Sequence, residues 1–363
     1  MSYTPTPSTW KKISLWTLVF LLLALLVLGV VGWVGAGKLL AVNPQKVEYD
    51  QTVEAVDGNN YTISGSAYNI QGVAGGIRTD GSMIGIFSAP TSSDASKQTA
   101  TRQLTDPNGS ALSVGEKISL QGNVWTSDPK AALGLDYETV QYESPLGATN
   151  AWLVPGKSKT TWTIGVHGIG ADKNEMLRFV KPVHAAGNTM LVINYRNDPG
   201  NPQSADDYNH FGDTEWQDVK AAVAYAKEQG ATDIRLYGDS LGGSLVENYL
   251  KRAGDPAVSK VVLDSPALDW KQVIQRQIQK NSYPGILYYP TVLAMKLRAG
   301  VDVNSISTQA SDIKHKTLII HSSDDPTVPQ AASKELAAAK PDLVTLSDFG
   351  QGGHLRSWNH DTA

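Results

Sequence analysis

No cysteine occurs among the 363 residues. That one absence excludes disulfides, cysteine-ligated zinc, iron–sulfur clusters and thiol catalysis. It also fits an exported chain that avoids stray thiols. Basic blocks are missing too: Lys+Arg number 31 against Asp+Glu 35, a net charge of −4. Phosphate backbones are gripped by clustered cations, so nucleic acid is not an expected partner. Charged residues make up 18% and apolar ones 41%, which excludes wholesale disorder. At ~150 residues per domain, the length fits about two domains.

A further absence is local. Residues 13–34 hold no charged side chain and are mostly Leu, Val, Ile and Phe. As a helix, a stretch of about 22 residues rises ~33 Å, enough for a hydrocarbon core of ~30 Å. Trp10, Trp16 and Trp33 stand toward its ends, where amphipathic rings favour the headgroup layer. Lys11 and Lys12 precede the span and Lys38 alone follows closely. Residues 1–12 are therefore expected in the cytoplasm, with a single-pass helix at 13–34 in the plasma membrane and the bulk of the chain outside. The alternative is a cleavable signal peptide, with Val34-Gly35-Ala36 as the cleavage site. Without Lys11, Lys12 and Lys38, 28 basic residues face 35 acidic ones, so charge does not draw the exported part to anionic headgroups.

Residues 43–136 read as a β-rich domain of unknown role. Val47–Val56 and Tyr61–Ser66 are strand-like runs around Asp57-Gly58-Asn59-Asn60, a hairpin turn sequence. Gly76–Thr79, Met83–Phe87 and Lys117–Trp125 are further strands. Ser88–Thr105 is rich in Ser, Thr and Ala and reads as a mobile surface loop. From 137 to 363 short apolar runs alternate with amphipathic helices, which predicts a mostly parallel sheet covered on both faces. Its strands are Thr161–Val166, Met190–Tyr195, Ile234–Tyr237, Lys260–Leu263, Thr317–His321 and Val344–Phe349. A helical insertion over about 266–312 breaks the alternation and reads as a lid.

Chemistry concentrates in this second part. Gly238-Asp239-Ser240-Leu241-Gly242 lies between a predicted strand and a predicted helix, the setting of a G-x-S-x-G nucleophile elbow. Gly238 and Gly242 keep Cβ atoms out of the crowded turn, and the new helix aims its free N–H groups at the site. The Ser240 hydroxyl needs a base. His354 follows the last strand, where the base falls in the Ser…Asp…His order. His321 precedes the acid, His360 lies close to the end of the chain, and His184, His210 and His315 read as surface or lid positions. Beyond the strand ending in His321 stand Asp324 and Asp325. Asp325 is the preferred acid because Pro326 rigidifies the turn after it; Asp324 is read as a helper or turn residue, and Asp264 as a remaining alternative. The expected oxyanion donors are the backbone N–H groups of Leu241 and of Ile169, the latter in the loop Gly165-Val166-His167-Gly168-Ile169-Gly170. His167 is read as shaping that loop.

The stretch from Tyr142 to Asn359 resembles the α/β-hydrolase superfamily and looks most like membrane-anchored hydrolases of actinobacteria. The residues that carry the likeness are Ser144-Pro145-Leu146-Gly147, Ala151-Trp152-Leu153-Val154-Pro155, His167-Gly168-Ile169-Gly170, the elbow with Gly243, Leu263-Asp264-Ser265-Pro266, the Asp325-Pro326…Val328-Pro329 turn and Gly353-His354-Leu355-Arg356-Ser357-Trp358-Asn359. The resemblance implies the α/β-hydrolase fold and Ser240, Asp325 and His354 as nucleophile, acid and base. In many relatives an aromatic residue or methionine flanks the serine, whereas Asp239 and Leu241 stand here. The expected activity is cleavage of small-molecule or lipid-like carboxylic esters through an acyl-enzyme, with no metal or organic cofactor implied. Two alternatives stand: a peptidase or acyltransferase on the same triad, and a non-catalytic cell-surface binding protein on a hydrolase fold.

Overall fold

The computed structural model describes residues 7–43 and 46–360, with side chains from residue 15 onward in the first helix. The expectations for Trp10, Lys11, Lys12 and the cytoplasmic segment 1–12 lie outside these described side chains. Helix α1 (Pro7–Leu40) is continuous, and its stretch Leu15–Leu40 is long and apolar enough to cross a membrane. Leu15, Phe20, Leu25 and Val30 are each more than half exposed, so the helix is apolar outward, a surface suited to lipid. Its final turns change character. Ala36 and Leu40 are fully buried in the main core.

The β-rich part is a seven-stranded antiparallel sheet in the order β2-β1-β7-β3-β4-β6-β5. Its strands are β1 (Gln51–Asp57), β2 (Asn60–Ser64), β3 (Ala74–Arg78), β4 (Met83–Phe87), β5 (Ser92–Asp94), β6 (Thr99–Pro107) and β7 (Lys117–Gln121). An additional β2–β6 pairing closes the sheet on itself, which leaves β2 and β6 no free edge to aggregate. Val53, Ile63, Phe87 and Ile118 fill its centre. The expected loop Ser88–Thr105 is instead mostly strand, as β5 and much of β6. Ala100, Arg102 and Leu104 point inward while their neighbours are part-exposed or exposed, a period-2 pattern that the Ser and Thr content conceals and that Thr, a good strand former, supports. A short helix, α2 (Pro129–Leu133), capped by the Asp128 carboxylate, follows.

The second sheet has eight strands: β8 (Glu138–Ser144), β9 (Gly147–Val154), β10 (Thr161–Val166), β11 (Thr189–Ile193), β12 (Asp233–Asp239), β13 (Val258–Asp264), β14 (Lys316–His321) and β15 (Val344–Asp348). Their order is β15-β14-β13-β12-β10-β11-β9-β8. All pairs from β15 to β11 are parallel, and β9 and β8 add antiparallel. Helices α3 (Leu177–Ala185), α4 (Trp216–Glu228) and α5 (Leu241–Arg252) lie in the connections. The insertion between β13 and β14 carries α6 (Trp270–Lys280), α7 (Tyr288–Ala299) and α8 (Val303–Ile306); α9 (Ala331–Ala339) and α10 (Ser357–His360) come later. From β10 the chain steps to β11 on one side and then to β12 on the other. Such a reversal opens a crevice at the carboxyl ends of the strands.

Helix α1 is fastened to the insertion. Arg298 donates to the Trp33 carbonyl at 2.8 Å and lies over the Trp33 ring at 4.9 Å. At Gly32 the two helices touch so closely that a Cβ would sit 2.6 Å from the Pro290 backbone, whereas at Gly29 it would meet nothing. Gly32→Leu is therefore expected to destabilise the full-length protein in detergent by about 1–3 kcal/mol, while Gly29→Leu leaves it near wild type. Thermal unfolding of the two variants side by side checks this.

Candidate active site

The turn after β12 forces Ser240 into φ +49°, ψ −112°, a strained backbone for a residue with a Cβ. The close approach of Gly242 to β10 makes the turn possible: a Cβ there would lie 2.1 Å from the Val166 carbonyl oxygen. Gly238 faces Gly242 and Gly243 equally tightly, and Gly168 passes beside Ser240, a Cβ on it falling 3.3 Å from that of the serine. The Ser240 N–H donates to the Asp264 carbonyl at 2.9 Å, and the Ser240 carbonyl accepts from the N–H of Gly243 and of Ala267.

His354 Nε2 lies 3.0 Å from Ser240 Oγ, and His354 Nδ1 lies 2.7 Å from Asp325 Oδ2. A carboxylate opposite Nδ1 makes that nitrogen the proton-bearing one, which leaves Nε2 free to accept from the hydroxyl. The Asp325 carboxylate is buried. Burial pushes its pKa up, but His321, His354 and the Val328 N–H more than reverse this and hold it well below the ordinary carboxylate range. Its second oxygen accepts from the N–H of Thr327 and Val328 at 2.8 and 2.9 Å. Asp324 lies apart from His354; its Oδ1 accepts from Gly352 and Gly353 N–H and so braces the loop that carries the histidine. Asp264 is taken up by the hydroxyls of Ser265 and Ser357. Leu241 N–H and Ile169 N–H have no protein acceptor among the described residues, and both lie beside Ser240 through their chain neighbours. Among the described residues no group of three or more His, Asp or Glu side chains could hold a metal ion.

Known proteins are similar to this chain in fold and in part of its sequence. The sequence profile of the prolyl oligopeptidase family (Peptidase_S9) matches residues 178–354, a little under half of the chain. An esterase of Pyrococcus furiosus superimposes with a TM-score of 0.52 at 21% identity, covering 65% of this chain and 88% of that one. A second crystal form of it gives 0.51 at 20% identity, covering 64% and 90%. No curated protein matches the sequence. The chain has the α/β-hydrolase fold.

Two features of this hydrolase-fold chain escaped sequence reasoning. His321 Nε2 lies 3.3 Å from Asp325 Oδ2, and its Nδ1 meets Ser333 Oγ at 2.8 Å; it buttresses the acid, as its place at the end of the same strand would allow. His167 is fully buried, with Nε2 3.0 Å from Asp198 Oδ2 and Nδ1 2.9 Å from the Gly168 carbonyl. Both partners are acceptors, so both nitrogens carry protons and the ring is a cation. His210, expected at the surface or in the lid, is also buried and faces Asp206 at 3.1 Å. The neighbouring clefts lie between the small β-rich unit and the main domain: one of about 220 Å³ lined by Gln121, Asn123, Gly170 and Asn174, and one of about 260 Å³ lined by Gln121, Asn123, His354 and Arg356.

Burial drives the His167 pKa down, but Asp198 and the Gly168 carbonyl outweigh it and raise it from 6.5 to about 9. The folded state thus keeps a proton that the unfolded state has released. The stabilisation is complete below about pH 6.5 and disappears as pH rises through about 9. The Tm difference between wild type and His167→Gln should be largest at pH 6 and shrink by pH 10, as read by differential scanning fluorimetry.

Proposed function

We propose that the protein is a serine hydrolase that cleaves carboxylic esters through an acyl-enzyme, tethered outside the plasma membrane by α1. The observation that carries the reading is the relay from Asp325 through His354 to a serine held on a strained elbow. As Ser240 Oγ attacks the acyl carbon, its proton passes to His354 Nε2. Asp325 holds the imidazole in the needed tautomer and stabilises the imidazolium. Negative charge on the carbonyl oxygen is met by the N–H groups of Leu241 and Ile169. The leaving alkoxide takes the proton from Nε2; water, deprotonated by the same nitrogen, then attacks the acyl carbon and frees Ser240. The likeness to the Pyrococcus furiosus esterase favours an ester substrate.

A peptidase is the second reading, favoured by the match to the prolyl oligopeptidase family over residues 178–354. Matched ester and anilide substrates of one acyl group separate the two. The full-length protein in detergent is expected to label with a fluorophosphonate probe and to turn over p-nitrophenyl butyrate faster than the anilide. Ser240→Ala should abolish labelling and lower kcat/KM by at least about 10³-fold. Labelling that persists in Ser240→Ala, or a wild type that neither labels nor turns over ester, overturns the proposal.

A further inference from the structure

Arginines without counter-ions gather near the seam between the small sheet and the main domain, Arg102 fully buried and Arg356 half-buried. Arg178 is provided for: it donates to Asp239 Oδ2 at 3.3 Å and to the Leu355 carbonyl, with Glu175 close by. Arg102 is fully buried yet meets only carbonyl oxygens, those of Gly72, Ser88, Tyr68 and Ile70. The Arg356 guanidinium has no hydrogen-bond partner or ion pair among the described residues, and its Nη1 is buried and unsatisfied. Burial, followed by repulsion from the next guanidinium in the row, lowers both Arg102 and Arg356 to about 10. An unpaired buried cation is among the costliest groups a fold can hold.

Arg356 borders the cleft of about 260 Å³ that also reaches His354. The one carboxylate on the cleft wall, that of Glu175, already accepts the Gly168 N–H at 2.8 Å and lies beside Arg178. Arg178, already paired with Asp239, also lines the cleft; Gln121, Asn123, whose buried Oδ1 is itself unpaired, and the apolar Ile70 and Leu120 are neutral. On the serine-hydrolase reading His354 delivers its proton to the leaving-group oxygen, and this cleft borders His354.

We infer that the cleft between His354 and Arg356 is a carboxylate-binding subsite, and that the enzyme prefers esters whose alcohol half carries a carboxylate, held by the Arg356 guanidinium across from Asn123. The inference rests on the serine-hydrolase reading for its catalytic consequence, but not for the binding itself. A guanidinium–carboxylate contact is charge-assisted and roughly twice as strong as a neutral hydrogen bond.

Two measurements on the full-length protein in detergent test it. In the first, 3-acetoxybenzoate and its uncharged counterpart 3-acetoxybenzamide are compared as substrates. The acid is expected to show a kcat/KM at least about tenfold higher, and both Arg356→Gln and Arg356→Lys should shrink that ratio toward one. In the second, 3-hydroxybenzoate is titrated into Ser240→Ala, which needs no turnover. It should raise the Tm in a saturable way where 3-hydroxybenzamide does not, and Ser240→Ala/Arg356→Gln should lose the response. Equal rates for the two wild-type substrates together with no selective Tm response overturn the subsite, whatever the variants do. A selective Tm response in a chain that fails to label with fluorophosphonate keeps the subsite and removes the hydrolase reading.

Discussion

The contact between Asp325 Oδ2 and His354 Nδ1, 2.7 Å long, is the constraint on which the remainder of this site depends. It joins residues from two loops that share no regular structure, and it works only if the carboxylate stays ionised inside the protein. A carboxyl buried to this degree would ordinarily take up a proton. Here two imidazoles and two backbone N–H groups converge on it, so the ionised form is the satisfied one. His321 matters in this balance because Ser333 and the Val328 carbonyl hold it in place. The buttress therefore belongs to the strand and helix that position the acid.

The opposite end of the contact is secured differently. His354 sits on the loop between β15 and α10, fixed by tethers on both sides. Asp324 holds the preceding glycines. Leu355 donates to Ser265 and accepts from Arg178, and Asn359 donates to the Val73 and Gly122 carbonyls of the small β-rich unit at 2.8 and 2.7 Å. Trp358 packs against Trp125 at 5.2 Å between ring centres. The small sheet is thus a wall that the His354 loop leans on, and its seam with the main domain is where the arginines without counter-ions gather.

Much of this was legible in the residue order. The strands of the parallel sheet announce themselves as apolar runs because both faces are covered, and the elbow is marked by glycines that the Val166 carbonyl and the turn itself demand. Ser240, Asp325 and His354 could be picked out because chain order and strand ends narrow the choice. What escaped reading depends on contacts between distant segments. Strand β6 hides in a Ser- and Thr-rich stretch because its inward positions include Arg102, which no hydrophobic pattern would place in a core. The cationic His167 depends on Asp198 and the roles of Arg356 and Asn123 on the seam, pairings that spacing along the chain does not encode.

The same distant contacts bear on access to the site. Helix α7 is held to α1 through Gly32, Trp33 and Arg298, while Tyr289, Leu293 and Leu297, four residues apart, leave an apolar stripe exposed on its outer side. Movement of the insertion is thereby coupled to a helix apolar enough to lie in lipid, and any large swing would have to drag that helix or break its close packing. The two clefts, one bordering His354 and the other Gly170, are lined instead by Gln121 and Asn123 from the far side of the seam. Polar amides and an uncompensated guanidinium make a poor channel for a long acyl chain and a good one for a small charged group, because burying apolar surface against them strands their donors. On the proposed serine-hydrolase reading, substrate choice would fall to the small β-rich unit rather than to the parallel sheet that carries Ser240.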